Sequence, residues 1–215
     1  MNAAFFDVDG TIIDSKADLV DTVNATRADL GLAPITDEAV MECVGNGARY
    51  LLEHAVPEAA GRFDEVWPIH QKNYTAHMMV KTRLYPGVAR ALAELRDRGW
   101  KLGIVTNKPN WATKAILEHL GILRHFEGAI VAGGDTVEMK PSAEPLRACA
   151  AMMRGHRVSS RDWMVGDNWT DIACGNNAGV KTAFCSYGFG TARDTRITMR
   201  INRFDDLLRV MKEED

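Results

Sequence analysis

No run of lysine or arginine breaks the mixed charge pattern of this chain, and 26 basic against 29 acidic residues leave a formal net charge of -3. That balance supplies no broad field for nucleic acid or anionic lipid, so an anionic ligand must be held by a local site. Nowhere do 18 apolar residues follow one another, and the N-terminus carries no basic region followed by a long apolar stretch and a cleavage site. The expectation is a cytoplasmic protein with neither nucleic acid nor membrane as partner. Cysteine is scarce: Cys43, Cys149, Cys174 and Cys185 form no C-x-x-C pair, which excludes a zinc knuckle or redox dithiol and leaves reduced, mostly buried thiols. His70 and His77 could share a helix face but lack a third ligand, so no zinc site is assigned. Internal repeats and low-complexity segments are also absent, and nothing in the composition fixes the oligomeric state.

What is present reads as an ordinary globular chain, 46% hydrophobic and long enough for one good core with a small satellite. Short apolar runs recur at "AAFFDV", "KLGIVTN", "GAIVAGG", "DWMVGDN" and "KTAFCSY", and helical spacing fills most of the intervals. In "YPGVARALAELRDRG", Val88, Leu92 and Leu95 recur on one face and Gly99 supplies the stop; "PNWATKAILEHLG" and "SAEPLRACAAMMRG" follow the same logic. Apolar strands joined by helices predict an α/β fold, a Rossmann-like parallel sheet with helices on both faces. One stretch breaks the alternation, because four consecutive helical segments with no strand among them run from about Ser15 to about Arg83. Residues 1–15 and 84–215 are therefore expected to form the core, and residues 16–83 an inserted helical cap.

Ligands of open parallel sheets bind outside the carboxyl ends of the strands, and each run here delivers its polar residues at that end. The first ends in Asp7, Asp9, Gly10 and Thr11, the second in Thr106 and Asn107, the fourth in Gly166 and Asp167, with Asp171 four residues on. Crowded carboxylates require a cation, and hard oxygen ligands in that number suit Mg²⁺. Asp167 and Asp171 would share one side of a helix start, one on the metal and the other orienting its surroundings. Thr106, Asn107 and Lys140 of "EMKPS" supply donors and a positive charge for a phosphate.

With these residues in place, the chain resembles the haloacid dehalogenase-like superfamily of aspartyl phosphatases, in its phosphoglycolate phosphatase-like branch with a helical cap. "DVDGT" resembles the first motif of that family, "VTN" the second, Lys140 of "KPSAEP" the third and "GDNWTDIACGNNAG" the fourth, while "VGNGARYLLEHAV" is similar to a stretch common in the branch. The resemblance implies that Asp7 attacks phosphorus and becomes an aspartyl-phosphate, and that Asp9 protonates the leaving alcohol and then deprotonates water. Gly10 would let the chain turn and Thr11 would orient the acids. It further implies Mg²⁺ held by Asp7, the Asp9 main-chain carbonyl and Asp167, with Thr106, Asn107 and Lys140 on the transferring oxygens. Asn168 and Trp169 depart from the small hydroxyl residues usual after "GD", without touching a reacting group.

Selectivity would then come from the cap. Gly45, Asn46 and Gly47 precede a helix carrying Arg49, and with the resemblance Asn46, Gly47 and Arg49 become candidates to hold a small carboxylate, with Lys16 a further candidate. The expected substrate is a small phosphorylated metabolite, 2-phosphoglycolate first. Asp9 argues against carbon-halogen chemistry, and nothing marks Lys72 or Lys81 as the Schiff-base lysine of a phosphonate hydrolase. A hexose-phosphate mutase or a nucleotide or pyrophosphate hydrolase would use the same core. From a different class, a phospho-accepting signalling domain also combines acids, Thr and Lys on a parallel sheet. Val8 between the acids and the long helical insertion argue against it.

Overall fold

The computed structural model describes residues 2–212 of the chain. Strands β1 (Ala3–Phe6), β4 (Lys101–Pro109), β5 (Ile130–Gly133), β6 (Trp163–Gly166), β7 (Lys181–Cys185) and β8 (Met199–Ile201) form one sheet in the order β5-β4-β1-β6-β7-β8, every neighbour pair parallel. The sequence predicts the first five of these strands; β8, only three residues long, is additional. Successive residues of a strand face opposite ways. Accordingly Ala4 and Phe6 enter one apolar cluster and Ala3 and Phe5 another, and the same split separates Ile104 from Val105 and Val165 from Met164. Helices α5 (Val88–Asp97) and α6 (Asn110–His119), with the short C-terminal α9 (Leu207–Val210), cover the first face. Helices α7 (Glu144–Met152) and α8 (Trp169–Ala178) cover the second. The α/β arrangement with helices on both faces is thus as expected, and the four cysteines are buried free thiols.

Between β1 and α5 the chain makes a two-stranded antiparallel ribbon, β2 (Ile13–Asp14) with β3 (Arg83–Leu84), and sends four helices out between those strands. These are α1 (Lys16–Asp29), α2 (Asp37–Glu42), α3 (Ala48–Ala55) and α4 (Phe63–His77). They have small apolar cores of their own, Val23, Val40 and Ala55 in one and Leu52, Val56 and Val66 in the other. Two buried charges tie the segment together. Asp18 accepts the main-chain N–H groups of Lys81 and Thr82 at 2.8–3.0 Å, fixing the return strand to α1. Arg27, only 4% exposed, donates to the carbonyls of Ala33 and Ala55 at 2.7 Å each and grips both oxygens of Glu58. No periodicity marks either role.

Candidate active site

At the carboxyl end of β1 the ladder continues one residue, the Asp7 N–H donating to Val165 O at 2.9 Å, and then breaks. Val8 drops into the core while Gly10 adopts φ +79°, so Asp7 and Asp9 face the same cleft from either side of an apolar anchor. A Cβ on Gly10 would lie 2.1 Å from Asp167 Oδ2, which makes the glycine necessary for contact as well as for turning. From β6, Asp167 receives the N–H groups of Phe189 and Gly190 at 3.0 and 2.7 Å. Asp171, in the first turn of α8, accepts the Asn168 N–H in a capping box and turns its other oxygen to Lys140 at 2.6 Å. The lysine also donates to Asp7 Oδ1 at 2.7 Å and to Val105 O at 2.8 Å, which uses its three protons. Burial opposes its charge, but Asp171 and Asp7 outweigh that and hold the ammonium above the ordinary lysine range.

A second ion pair lies on the cleft side. Lys108, 6% exposed, donates to both oxygens of Asp9 at 2.7 and 2.8 Å, and Ser15 Oγ reaches Asp9 Oδ1 at 2.6 Å. The ammonium is 5.1 Å from the ring centroid of Tyr74 on α4. Burial again works against the charge, and Asp9 and Tyr74 more than offset it. The sequence reading missed Lys108 and Ser15. A signal was available, since "KP" occurs at residues 108–109 as well as at 140–141, and the first copy directly follows Thr106 and Asn107.

The site suits a divalent cation. Asp7, Asp167 and Asp171 each offer an oxygen within 4.8 Å of the others, all three buried. Four carboxylates, including Asp9, meet two ammonium groups; with every group ionised, two negative charges remain. Burial, Asp171 and Asp7 push the Asp167 carboxyl well above the usual range, and burial lifts Asp171 to about 6 against the pull of Lys140. A bound cation would relieve that penalty. The cradle is also shaped for bare carboxylates, because a Cβ on Gly188 would meet Asp167 at 2.4 Å and one on Gly166 would meet Asp171 at 2.2 Å.

The remaining predicted residues are placed as follows. Thr106 lines the cleft, its Oγ1 accepting the Lys108 N–H at 3.3 Å. Asn107 also lines it, but its amide is already engaged. Its Nδ2 donates to Gly45 O and Lys140 O at 3.0 Å, and its Oδ1 accepts the Lys140 N–H, so it ties two loops together. Thr11 Oγ1 lies 3.4 Å from Asp167 Oδ1, leaving Ser15 as the hydroxyl that orients Asp9. On the helical side, Gly45, Gly47, Leu19, Val44, Leu51, His70 and Tyr74 border the cleft, whose cavity is about 70 Å³. Asn46, Arg49 and Lys16 are not among the lining residues. Arg49 turns outward, its guanidinium 3.8 Å from the Phe63 ring centroid and 3.3 Å from Glu53. Trp169 stands outside the cleft under Arg193.

Comparison with known proteins agrees with this geometry. Residues 4–185 match the model of the haloacid dehalogenase-like hydrolase family. A phosphoglycolate phosphatase of Chromobacterium violaceum is 33% identical, over 99% of this chain and 97% of its own. One from Aquifex aeolicus is 32% identical, over 98% and 97%. Among solved structures, a Haemophilus somnus protein described as "a predicted phosphoglycolate phosphatase" superposes with a TM-score of 0.87 at 25% identity, over 99% and 98% of the two chains. CbbY from Rhodobacter sphaeroides, solved with phosphate, shares the fold with a TM-score of 0.76 at 19% identity, over 96% of each chain. The chain belongs to the haloacid dehalogenase-like hydrolases, in their phosphoglycolate phosphatase-like branch, and is a phosphatase.

Proposed function

We propose that the protein hydrolyses a small phosphate monoester, 2-phosphoglycolate being the first candidate, through a phosphoryl group carried on Asp7. The observation that carries this reading is the convergence of Asp7, Asp9, Asp167, Asp171, Lys108 and Lys140 at one edge of the sheet. Lys140 occupies Asp7 Oδ1, so attack falls to the other oxygen of that carboxylate. As the new bond to phosphorus forms, the ester P–O bond breaks and Asp9 gives its proton to the departing alcohol oxygen. Asp9 then takes a proton from water, which attacks the same phosphorus and returns Asp7 and inorganic phosphate. Thr106 and Lys140 are placed to stabilise charge on the transferring oxygens.

Asp7, Asp167 and the Asp9 main-chain carbonyl would hold Mg²⁺, with Asp171 orienting its surroundings. When bound, the ion screens the repulsion between an anionic nucleophile and an anionic substrate. The helices of residues 16–83 act as a cap: they close over the leaving group and exclude water, and the β2–β3 ribbon is the place where they would hinge. The small cavity favours small esters. The test is steady-state hydrolysis of 2-phosphoglycolate, sugar phosphates, nucleotides and pyrophosphate with added Mg²⁺ and in excess chelator. Turnover of a small monoester that disappears on chelation is expected. Undiminished turnover in chelator contradicts the metal assignment, and activity on none of the monoesters contradicts the function.

A further inference from the structure

The cleft poses a charge question that the catalytic set does not answer. Its helical wall is neutral and mostly apolar, made of Leu19, Val44, Leu51 and Tyr74. His70 joins it, and burial lowers its pKa to about 4, so at neutral pH it carries no charge. Arg49 faces solvent beside Glu53 and Phe63. Among the described residues lining the cleft, Lys108 is therefore the sole cation. It is 6% exposed and enters from β4, with Asp9 on one side and the Tyr74 ring of α4 on the other. A carboxylate beside a phosphate ester would bring a negative charge to a wall with no cationic side chain to receive it, only the main chain of Gly45, Gly47 and Ala48 where α3 begins, and a buried charge without a partner is costly.

We propose that Lys108 is the specificity-determining residue: its ammonium, held by Asp9 in the free protein, takes up an anionic group carried on the carbon next to the ester-bearing one. The proposal rests on the phosphatase reading above and names the leaving-group chemistry. The placement fits such a ligand. The leaving oxygen must approach Asp9, and Lys108 is one hydrogen bond beyond Asp9, so a carboxylate close to the ester oxygen comes within reach of the lysine. The transfer also has a consequence for Asp9. In the free protein Lys108 occupies both of its oxygens, and Ser15 shares one of them. A substrate anion that draws the ammonium away opens the carboxyl toward the leaving oxygen. A phosphate ester of similar length whose leaving group carries no charge leaves the clamp in place and is turned over less well.

The experiment compares kcat/KM for 2-phosphoglycolate and for ethyl phosphate in the Mg²⁺-loaded wild-type protein and in the Lys108→Met and Lys108→Arg variants. The wild type should favour the carboxylate ester by at least tenfold, the range expected of a charge-assisted hydrogen bond. Lys108→Met lowers both values, but the ratio between them collapses toward one, a loss of about tenfold or more, with KM for 2-phosphoglycolate rising more than that for ethyl phosphate. Lys108→Arg restores part of the ratio, since a guanidinium still meets a carboxylate. A wild-type enzyme that hydrolyses both esters without preference overturns the proposal while leaving the phosphatase reading intact, and needs no variant to fold. Equal losses on the two substrates in a folded Lys108→Met protein also overturn it, by assigning the lysine to the support of Asp9 alone. Absence of turnover on either ester by a wild type that hydrolyses another phosphate monoester overturns the proposal, whereas activity on no monoester overturns the function proposed above.

Discussion

Individual side chains in this cleft are constrained by contact as much as by chemistry. Asp7→Asn should keep the fold and lose activity by at least about a thousandfold in a steady-state assay, because an amide is a poor nucleophile toward phosphorus. A thermal melt within a few degrees of wild type would show that the loss is chemical. Gly10→Ala tests the contact requirement: the added methyl lies 2.1 Å from Asp167 Oδ2 and the backbone is at φ +79°, so that variant should lose both activity and stability. How far residues of this kind can be read from sequence depends on how locally their role is set. Asp7, Asp9 and Asp167 are marked by position just past the carboxyl ends of strands, Asp171 by the helix start that follows, and Lys140 by the loop after the third predicted strand. Lys108, Ser15 and Arg27 owe their roles to partners far away in sequence or on another element, which spacing does not encode. Asn107 shows the converse. Its type suited a phosphate, while its amide is taken by Gly45 and Lys140 across the cleft.

Among the elements, the longer strands were legible because five apolar runs lie where both faces of the sheet are covered. The ribbon strands β2 and β3, two residues each, and the edge strand β8 are too short to carry a period. The helices α1 to α4 were visible as an uninterrupted helical stretch, and the polar groups that hold them were not. Arg27→Ala removes donors from the carbonyls of Ala33 and Ala55, and a destabilisation of about 2 kcal/mol or more is expected in chemical denaturation. The exposed part of the Glu58 pair adds little to that figure. On α4, burial lowers the His70 pKa to about 4 from 6.5. The unfolded chain then binds more protons than the folded one between those values. Stability is full above about pH 6.5 and falls toward pH 4, by up to about 3 kcal/mol. His70→Gln should flatten that part of a pH-dependent unfolding curve, and an unchanged slope would assign it to other groups.

For the whole molecule, the unbalanced acids predict a stability that rises with a bound divalent cation. Because the three carboxylates are gathered only in the folded state, Mg²⁺ at one hundred times its dissociation constant should add about 2.7 kcal/mol. For a chain of this size that is a rise of roughly 5–10 °C in melting temperature. The rise should vanish in Asp167→Asn, read by calorimetry with no substrate present. The core and the helices of residues 16–83 meet at the cleft through Asn107 and Gly45 and through Lys108 and Tyr74. The proposed mechanism has the phosphoryl group pass through Asp7 before it reaches water. The stereochemical course at phosphorus, measured with a thiophosphate ester made chiral by oxygen isotopes, tests this most directly. Two successive in-line displacements predict net retention of configuration, and inversion would mean that water attacks the substrate without any covalent stage.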